Sequence, residues 1–292
     1  MIREAGRNSI VLEEAVVLSQ TSFPADQYVL RVRAPGCAAR AAPGSFAHLT
    51  CDPTVPMRRP LSIMRAHRET GWLEFLYRPI GAGLTHLARR TRGDTLSVLG
   101  PIGNGFSPDP RRPSILAIGG GVGIPPMVFL ADRLRHDARF ETTVLMGSEV
   151  PFPFTLGEAR IPVAGAPPGA SLSVDLLERW GVPSRLATRA GYAGCFDGFV
   201  TELGRALLAP LSSRALDDVQ LLGCGPEGML EATAALAREF GLPCQLALEE
   251  YMACAVGGCA GCTVLVHTPA GPAMKRVCVD GPVFDAREVY PG

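Results

Sequence analysis

Four of the chain's nine cysteines crowd into 25 residues near its C-terminal end, spaced C-x4-C-x2-C-x15-C as Cys254, Cys259, Cys262 and Cys278. Gly257, Gly258, Ala260 and Gly261 lie between the first three. Four thiolates, two per iron, satisfy a two-iron cluster, and small residues let backbone N–H groups come close to its inorganic sulfides. The spacing is that of plant-type [2Fe–2S] sites. Zinc sites usually pair two short Cys or His couplets, whereas this segment has one couplet and a solitary Cys278. The pattern favours a cluster, with structural zinc as the competing reading. Cys37, Cys51, Cys195, Cys224 and Cys244 are scattered. An odd count in a long chain fits a reducing compartment better than a secreted disulfide framework.

At 292 residues the chain is too long for one small core and suits two domains plus a short module. Its 28 Lys and Arg balance 28 Asp and Glu, which gives no support to a nucleic-acid or anionic-membrane surface. No apolar run reaches the roughly 20 residues that a membrane span needs. The start, MIREAGRNSIVLEEAVVL, lacks a signal-peptide core. A cytoplasmic protein is expected.

The first hundred residues alternate short apolar runs with Gly/Pro turns. Strands are predicted at Ser9–Val17, Tyr28–Arg33, Phe46–Cys51, Leu61–Met64, Trp72–Tyr77 and Thr95–Leu99, with a helix near Leu84–Arg90. That rhythm predicts an antiparallel β-barrel over residues 1–110. After the polar, proline-rich stretch 108–113, apolar strands alternate with amphipathic helices. The strands fall at Ser114–Ile118, Glu141–Met146, Asp218–Leu222 and Gln245–Leu248. The helices are expected near 126–135, where Val128, Ala131 and Leu134 share a face, after Asp197, and after Pro226, where Met229, Ala232, Leu236 and Phe240 form one stripe. This predicts a doubly wound parallel domain over 111–243. Residues 244–292 form a small C-terminal module, and 161–170 read as a loop.

Three further constellations carry chemistry. In Arg59-Pro60-Leu61-Ser62, an Arg fork can hold a pyrophosphate and Ser62 can hydrogen-bond a flavin; a surface Arg pair beside a turn proline is the bland alternative. Next come Leu76-Tyr77-Arg78 and a glycine turn, Gly81 to Gly83, opening a helix through Leu84 and Thr85, where unpaired N–H groups suit phosphate. Tyr77 can stack on a flavin ring or serve as plain core. Gly119, Gly120, Gly121 and Gly123 form a strand-to-helix turn, as do Cys224, Gly225 and Pro226. Both turns close parallel strands at their carboxyl ends, where dinucleotides bind, although neither is the G-x-G-x-x-G fingerprint. Cys224 can pack on a nicotinamide or in the core. The five histidines form no metal spacing, and Glu249-Glu250 reads as structural.

In this order the motifs resemble the electron-transfer subunit of the class B, NAD-dependent dihydroorotate dehydrogenases, within the ferredoxin–NADP reductase superfamily. The resemblance covers nearly the whole chain. Its most specific parts are Gly100–Phe106, the approach Glu249-Glu250-Tyr251-Met252-Ala253-Cys254, and the run from Cys278 to Phe284. It implies an FAD-binding barrel, an NAD-binding α/β domain and a [2Fe–2S] module. Flavin contacts carry over to Arg59–Ser62, Leu76–Arg78 and Gly83-Leu84, and cluster ligands to the four cysteines. Where the family usually reads Gly-Thr, this chain has Gly83-Leu84, with Thr85 one place later. Extra residues are expected around 150–190.

The implied activity is a relay in pyrimidine (UMP) biosynthesis. An FMN-containing catalytic partner oxidises dihydroorotate, and electrons cross the cluster to FAD and then NAD+. No catalytic acid or base is expected in this chain. The assembly would be a hetero-oligomer, with a heterotetramer as its expected form. Related subunits serve sulfide dehydrogenases and NADH-dependent ferredoxin:NADP+ oxidoreductases, and a zinc-stabilised, non-enzymatic scaffold is the alternative of another class. NAD is favoured over NADP because Glu149 follows the second parallel strand and no Arg cluster appears nearby in sequence.

Overall fold

The computed structural model describes residues 10–292, so Ser9 of the first expected strand lies outside the described residues. Six antiparallel strands close a barrel in the order β1-β2-β5-β4-β3-β6. They are β1 (Val11–Phe23), β2 (Gln27–Arg33), β3 (Phe46–Thr50), β4 (Arg59–His67), β5 (Trp72–Tyr77) and β6 (Thr95–Ile102). Strand β1 runs past the expected end at Val17 because it pairs with β6 over its first half and β2 over its second, with a register shift between Val17 and Ser19. That bulge lets a polar run, Ser19 to Ser22, continue as strand without an apolar alternation of its own. Leu30, Val32, Leu49, Ile63, Leu73, Phe75 and Val98 fill the interior with no exposure.

Two short helices decorate this barrel: α1 (Pro35–Arg40) and α2 (Gly81–Leu87). The first starts on Pro35, because proline is favoured at the first turn of a helix, where its missing N–H costs nothing. The second begins earlier than the expected Leu84, on the glycine turn itself.

The described chain packs as two compact units. Leu248–Val283 groups with the barrel, and the second unit holds Phe106–Ala247 and Phe284–Gly292. The cysteine-bearing segment, set apart in the sequence as a module, therefore packs on the barrel, and the division expected after residue 110 falls by packing at Gly105.

The second unit is a doubly wound sheet. Its elements are β7 (Ser114–Gly120), α3 (Ile124–Leu134), β8 (Glu141–Gly147), β9 (Leu156–Glu158), β10 (Leu172–Val174), α4 (Asp175–Arg179), β11 (Ser184–Thr188), β12 (Phe196–Asp197), α5 (Val200–Leu208), α6 (Ser213–Leu216), β13 (Val219–Cys224), α7 (Glu227–Glu239) and β14 (Cys244–Ala247). Every pair from β12 through β11, β8, β7 and β13 to β14 is parallel. Strands β9 and β10 form a separate antiparallel pair inside the expected extra region, which also holds α4 and β11. Strand β11, Ser-Arg-Leu-Ala-Thr, has no apolar signature of its own, because it is short and carries a buried Arg185.

Two helix faces differ from expectation. Helix α3 is buried continuously from Ile124 to Ala131, beyond the single stripe of Val128, Ala131 and Leu134. On α7 the buried set is Leu230, Thr233, Ala234, Leu236 and Ala237, one position round from the stripe led by Met229. The chain ends with the hairpin β15 (Thr263–Thr268) and β16 (Gly271–Arg276), then β17 (Val283–Asp285), which joins the sheet beside β14, and α8 (Ala286–Val289). Among the described residues, no helix is long and apolar enough to cross a membrane.

Candidate functional site

The cysteine loop is built from one local device used twice. Ala255 and Ala260, each directly after a cysteine, adopt left-handed φ values of 56° and 54°. Non-glycine residues pay roughly 1–3 kcal/mol for such angles and hold them only when the surroundings impose them. The bend turns a following N–H back toward sulfur. Gly261 N–H donates to Cys259 Sγ at 3.4 Å, and Cys259 N–H donates to Cys254 Sγ at 3.4 Å. Burial works to raise the Cys254 thiol, but N–H groups of Val256, Cys259 and Gly258 together with the Cys259 side chain outweigh it and bring it down to about 7. Donors aimed at sulfur stabilise the thiolate, the form that binds metal.

Cys262 and Cys278 form the other pair. Cys278 follows the hairpin, where Val277 N–H donates to Cys262 O at 2.9 Å. Burial, then a hydrogen bond with the Cys262 side chain, pushes the Cys278 thiol up to about 12. Arg276 fixes the approach: its Nη1 donates to Gly257 O at 3.0 Å, and its backbone N–H donates to Asp280 Oδ2 at 2.8 Å. Cys262 and Cys278 are buried, Cys254 is half-buried and Cys259 is exposed. Among the described residues, no three His, Cys, Asp or Glu side chains group as a single-ion site. Two pairs of thiols, with N–H donors turned on the first, fit a two-iron group.

The stretch Gly100–Phe106, distinctive in the sequence but without a stated role, docks this segment on the barrel. Asn104 N–H donates to Gly281 O at 2.6 Å, and its Nδ2 donates to Val279 O at 3.2 Å and Asp280 O at 3.1 Å. Gly103 has φ +91°, and a Cβ there would collide with the Pro282 ring. Within the segment, Leu248 N–H donates to Pro282 O at 2.9 Å and joins its start to its end.

On the barrel, Arg59 opens β4 and its guanidinium lies against the start of α2. A Cβ built on Gly83 would stand 2.9 Å from Arg59 Nε, so glycine is what admits the guanidinium. A fork of N–H donors beside a helix-opening glycine turn is a cradle suited to a pyrophosphate. Arg58, its neighbour, is structural: it donates to His48 O at 3.1 Å, Ser97 O at 3.0 Å and Ser97 Oγ at 2.9 Å. Pro60 and Ser62 are half-buried on β4, Leu61 and Leu76 are buried, and Arg78 is exposed. Leu84 is half-buried on α2, and the Thr85 hydroxyl donates to Gly81 O at 2.9 Å, bracing the glycine turn. Tyr77 takes the core role: it is 1% exposed, stacks on Tyr28 at 5.7 Å, and donates its O–H to Gln20 Oε1 at 2.8 Å.

In the α/β unit the two glycine turns meet. Cys224 pairs with Gly119 across β13 and β7. Gly121 and Gly123 lie in a single 3-10 turn, and a Cβ on Gly123 would collide with the Cys224 carbonyl and the Gly225 nitrogen. A Cβ on Gly120 or Gly225 would meet the Met229 thioether, a residue assigned in sequence only to a helix stripe. Pro226 is exposed ahead of α7, and Cys224 is 2% exposed. Glu149 is exposed after β8, where its Oε1 accepts a long 3.4 Å bond from Arg189 N–H. Arg189 meets Glu149 through its backbone, while its guanidinium lies over the Phe199 ring at 4.9 Å.

Residues 249–290 match the family profile of the iron-sulfur cluster binding domain of dihydroorotate dehydrogenase B. The electron transfer subunit of dihydroorotate dehydrogenase B (NAD(+)) from Shouchella clausii is 31% identical over 284 residues, 94% of this chain and 96% of its own. Its counterpart from Bacillus caldolyticus is 33% identical over 285 residues, 95% of this chain and 98% of its own. This chain belongs to the dihydroorotate dehydrogenase B electron transfer subunit family. A solved NADH-dependent reduced ferredoxin-NADP oxidoreductase superposes with a TM-score of 0.75 at 24% identity, covering 94% of this chain and 89% of that one. At that identity it shows the shared fold, a ferredoxin reductase-like barrel and α/β sheet.

Proposed function

We propose that the chain is the electron-transfer subunit of a two-subunit, NAD-linked dihydroorotate dehydrogenase, working with an FMN-containing catalytic partner in pyrimidine biosynthesis. The observation that carries this reading is the pair of thiol couples with N–H groups turned on sulfur, in a chain that aligns with the family over almost its full length. Cys254, Cys259, Cys262 and Cys278 would hold a [2Fe–2S] cluster. Arg59 and the Gly83 turn would hold the FAD pyrophosphate, with Pro60, Ser62 and Arg78 lining the flavin, Leu61, Leu76 and Tyr77 forming the core behind it, and Leu84-Thr85 bracing the turn. Gly119, Gly120, Gly121, Gly123 and Cys224–Pro226 would receive NAD.

When bound, the cluster passes electrons one at a time, and the flavin pairs them for hydride transfer to NAD+. The chain's own residues do the positioning. Ala255 and Ala260 aim N–H groups at sulfur, where they stabilise negative charge. Asn104 fixes the cysteine segment to the barrel, and Leu248 ties the start of that segment to its end. Arg59 supplies a fixed cation for phosphate. Glycines at the sheet's turns let backbone approach a dinucleotide closely. The partner is expected over the exposed Cys259 side, and a cytoplasmic setting agrees with nine cysteines that form no disulfide among the described residues.

The test is co-expression with the candidate FMN-type dihydroorotate dehydrogenase. The complex should copurify with flavin and iron–sulfur absorbance and reduce NAD+ with dihydroorotate, whereas this chain alone should show only diaphorase activity. Stable copurification with no dihydroorotate-dependent NAD+ reduction would assign the chain to another dehydrogenase.

A further inference from the structure

Gln20 lies on β1, far in sequence from the flavin motifs, yet its side-chain amide is committed to the segment that carries them. Oε1 accepts from the Tyr77 O–H at 2.8 Å. Nε2 donates to Leu87 O at 3.1 Å, Ala88 O at 3.0 Å and Arg90 O at 2.9 Å. Leu87 ends α2 and Ala88 and Arg90 follow it, where the helical pattern of bonds stops and Leu87 O is shared with Arg90 N–H at 3.0 Å. The amide's orientation is fixed by this arrangement, because a flipped group would put its oxygen against three carbonyl oxygens. Tyr77 begins the segment, Arg90 ends it, and Arg78 with Gly81–Thr85 lie between. One amide therefore closes the segment on itself.

We propose that Gln20 is a positioning residue for FAD, setting Gly83 against Arg59 through the end of α2. This rests on the reading that Arg59 and the Gly83 turn hold the FAD pyrophosphate. Gly83 stands four residues from Leu87, about 6 Å along a helix of two turns, so any tilt at the tethered end reaches the cradle nearly undiminished. The cradle tolerates little: a Cβ on Gly83 would already be 2.9 Å from Arg59 Nε. A second tether holds this end of the helix. Arg90 donates to Cys51 O at 3.1 Å and to Asp52 Oδ2 at 2.9 Å. With Gln20 removed, Arg90 and His86 still meet Asp52 and Tyr77 is still held in β5 beside Tyr28, but the direct link between Tyr77 and the end of α2 is lost.

The experiment uses the full chain, stripped of FAD and titrated with FAD by fluorescence quenching. Gln20→Met should raise the FAD Kd about tenfold, and Tyr77→Phe about threefold, as expected for the loss of several and of one neutral hydrogen bond respectively. The cluster's EPR signal should be unchanged in both. A purely structural role would lower melting temperature without this pattern, so the deciding measurement is a double-mutant cycle with Arg59→Ala. In the Arg59→Ala background, Gln20→Met should cost less than twofold. A Gln20→Met Kd within twofold of wild type overturns the proposal, as does an undiminished tenfold loss in the Arg59→Ala background. If Gln20→Met does not give a cooperative melt, Tyr77→Phe decides by the same cycle. Arg59→Ala binding FAD as well as wild type would instead overturn the placement of the pyrophosphate itself.

Discussion

Replacing Asn104 with Ala removes the side chain that ties the turn after Cys278 to the barrel. Its half-buried Nδ2 donates to two carbonyls, Val279 O at 3.2 Å and Asp280 O at 3.1 Å, while the backbone bond from Asn104 N–H to Gly281 O survives the substitution. Two neutral hydrogen bonds contribute about 1–3 kcal/mol together. If that energy acts only on this contact, local opening of residues 276–282 becomes about 5- to 150-fold more frequent. Hydrogen–deuterium exchange of the full chain reads this directly, and cluster loss to a chelator, followed by visible absorbance, reads its consequence. Exchange should accelerate in 276–282 and the cluster should bleach faster, while barrel strands β2 to β5 keep their protection and FAD stays bound. Unchanged exchange in 276–282 would refute the role given to Asn104, and equal acceleration throughout the barrel would show that it holds the barrel and not the cysteine segment.

Three other outcomes follow from the geometry. Cys278→Ser should abolish or severely weaken the [2Fe–2S] absorbance and leave the flavin spectrum intact; loss of both together would contradict the separate sites. Gly83→Ala should displace the Arg59 guanidinium, whose Nε would lie 2.9 Å from the new methyl, and so weaken FAD binding at least tenfold. Because alanine favours helix over glycine by up to about 1 kcal/mol, the apoprotein melting temperature should hold or rise, and a fall in both would point to general damage. His48 is buried with neither ring nitrogen partnered among the described residues, and burial followed by the Arg58 charge brings its pKa down from 6.5 to about 4. Between those values the unfolded chain binds a proton that the folded chain does not, so stability falls as pH drops through the window, by about 3 kcal/mol when complete. Urea unfolding at pH 7 and pH 4.5 should show a steeper loss for wild type than for His48→Phe; identical losses would clear this ring of the effect.

The local chemistry was largely legible. Cysteine spacing, the Arg-Pro-Leu-Ser strand and the glycine turns each work through neighbours a few residues apart, and such neighbours are written in order along the chain. The barrel and parallel sheet were legible for the same reason, since apolar alternation and continuous apolar runs mark the two kinds of strand. What escaped were elements sustained from outside: the second half of β1, held by its partner strand; β11, whose buried Arg185 finds backbone carbonyls at Ser184 and Ile161; and the face of α7, set by what covers it.

The candidate site divides along the same line. By itself the sequence determined which residues are equipped for the chemistry: four thiols, an arginine fork, and glycines where backbone must come close. Only the tertiary structure decided what holds them in place. Gln20 reaches across 57 residues to Tyr77, and Asn104 across 175 to the turn beside Cys278. No periodicity or spacing rule relates such pairs, because a hydrogen bond between distant residues depends on where the folded chain carries them. The four cysteines that constrain the chain most are therefore specified locally, but their placement on the barrel rests on an asparagine whose partners the fold alone supplies.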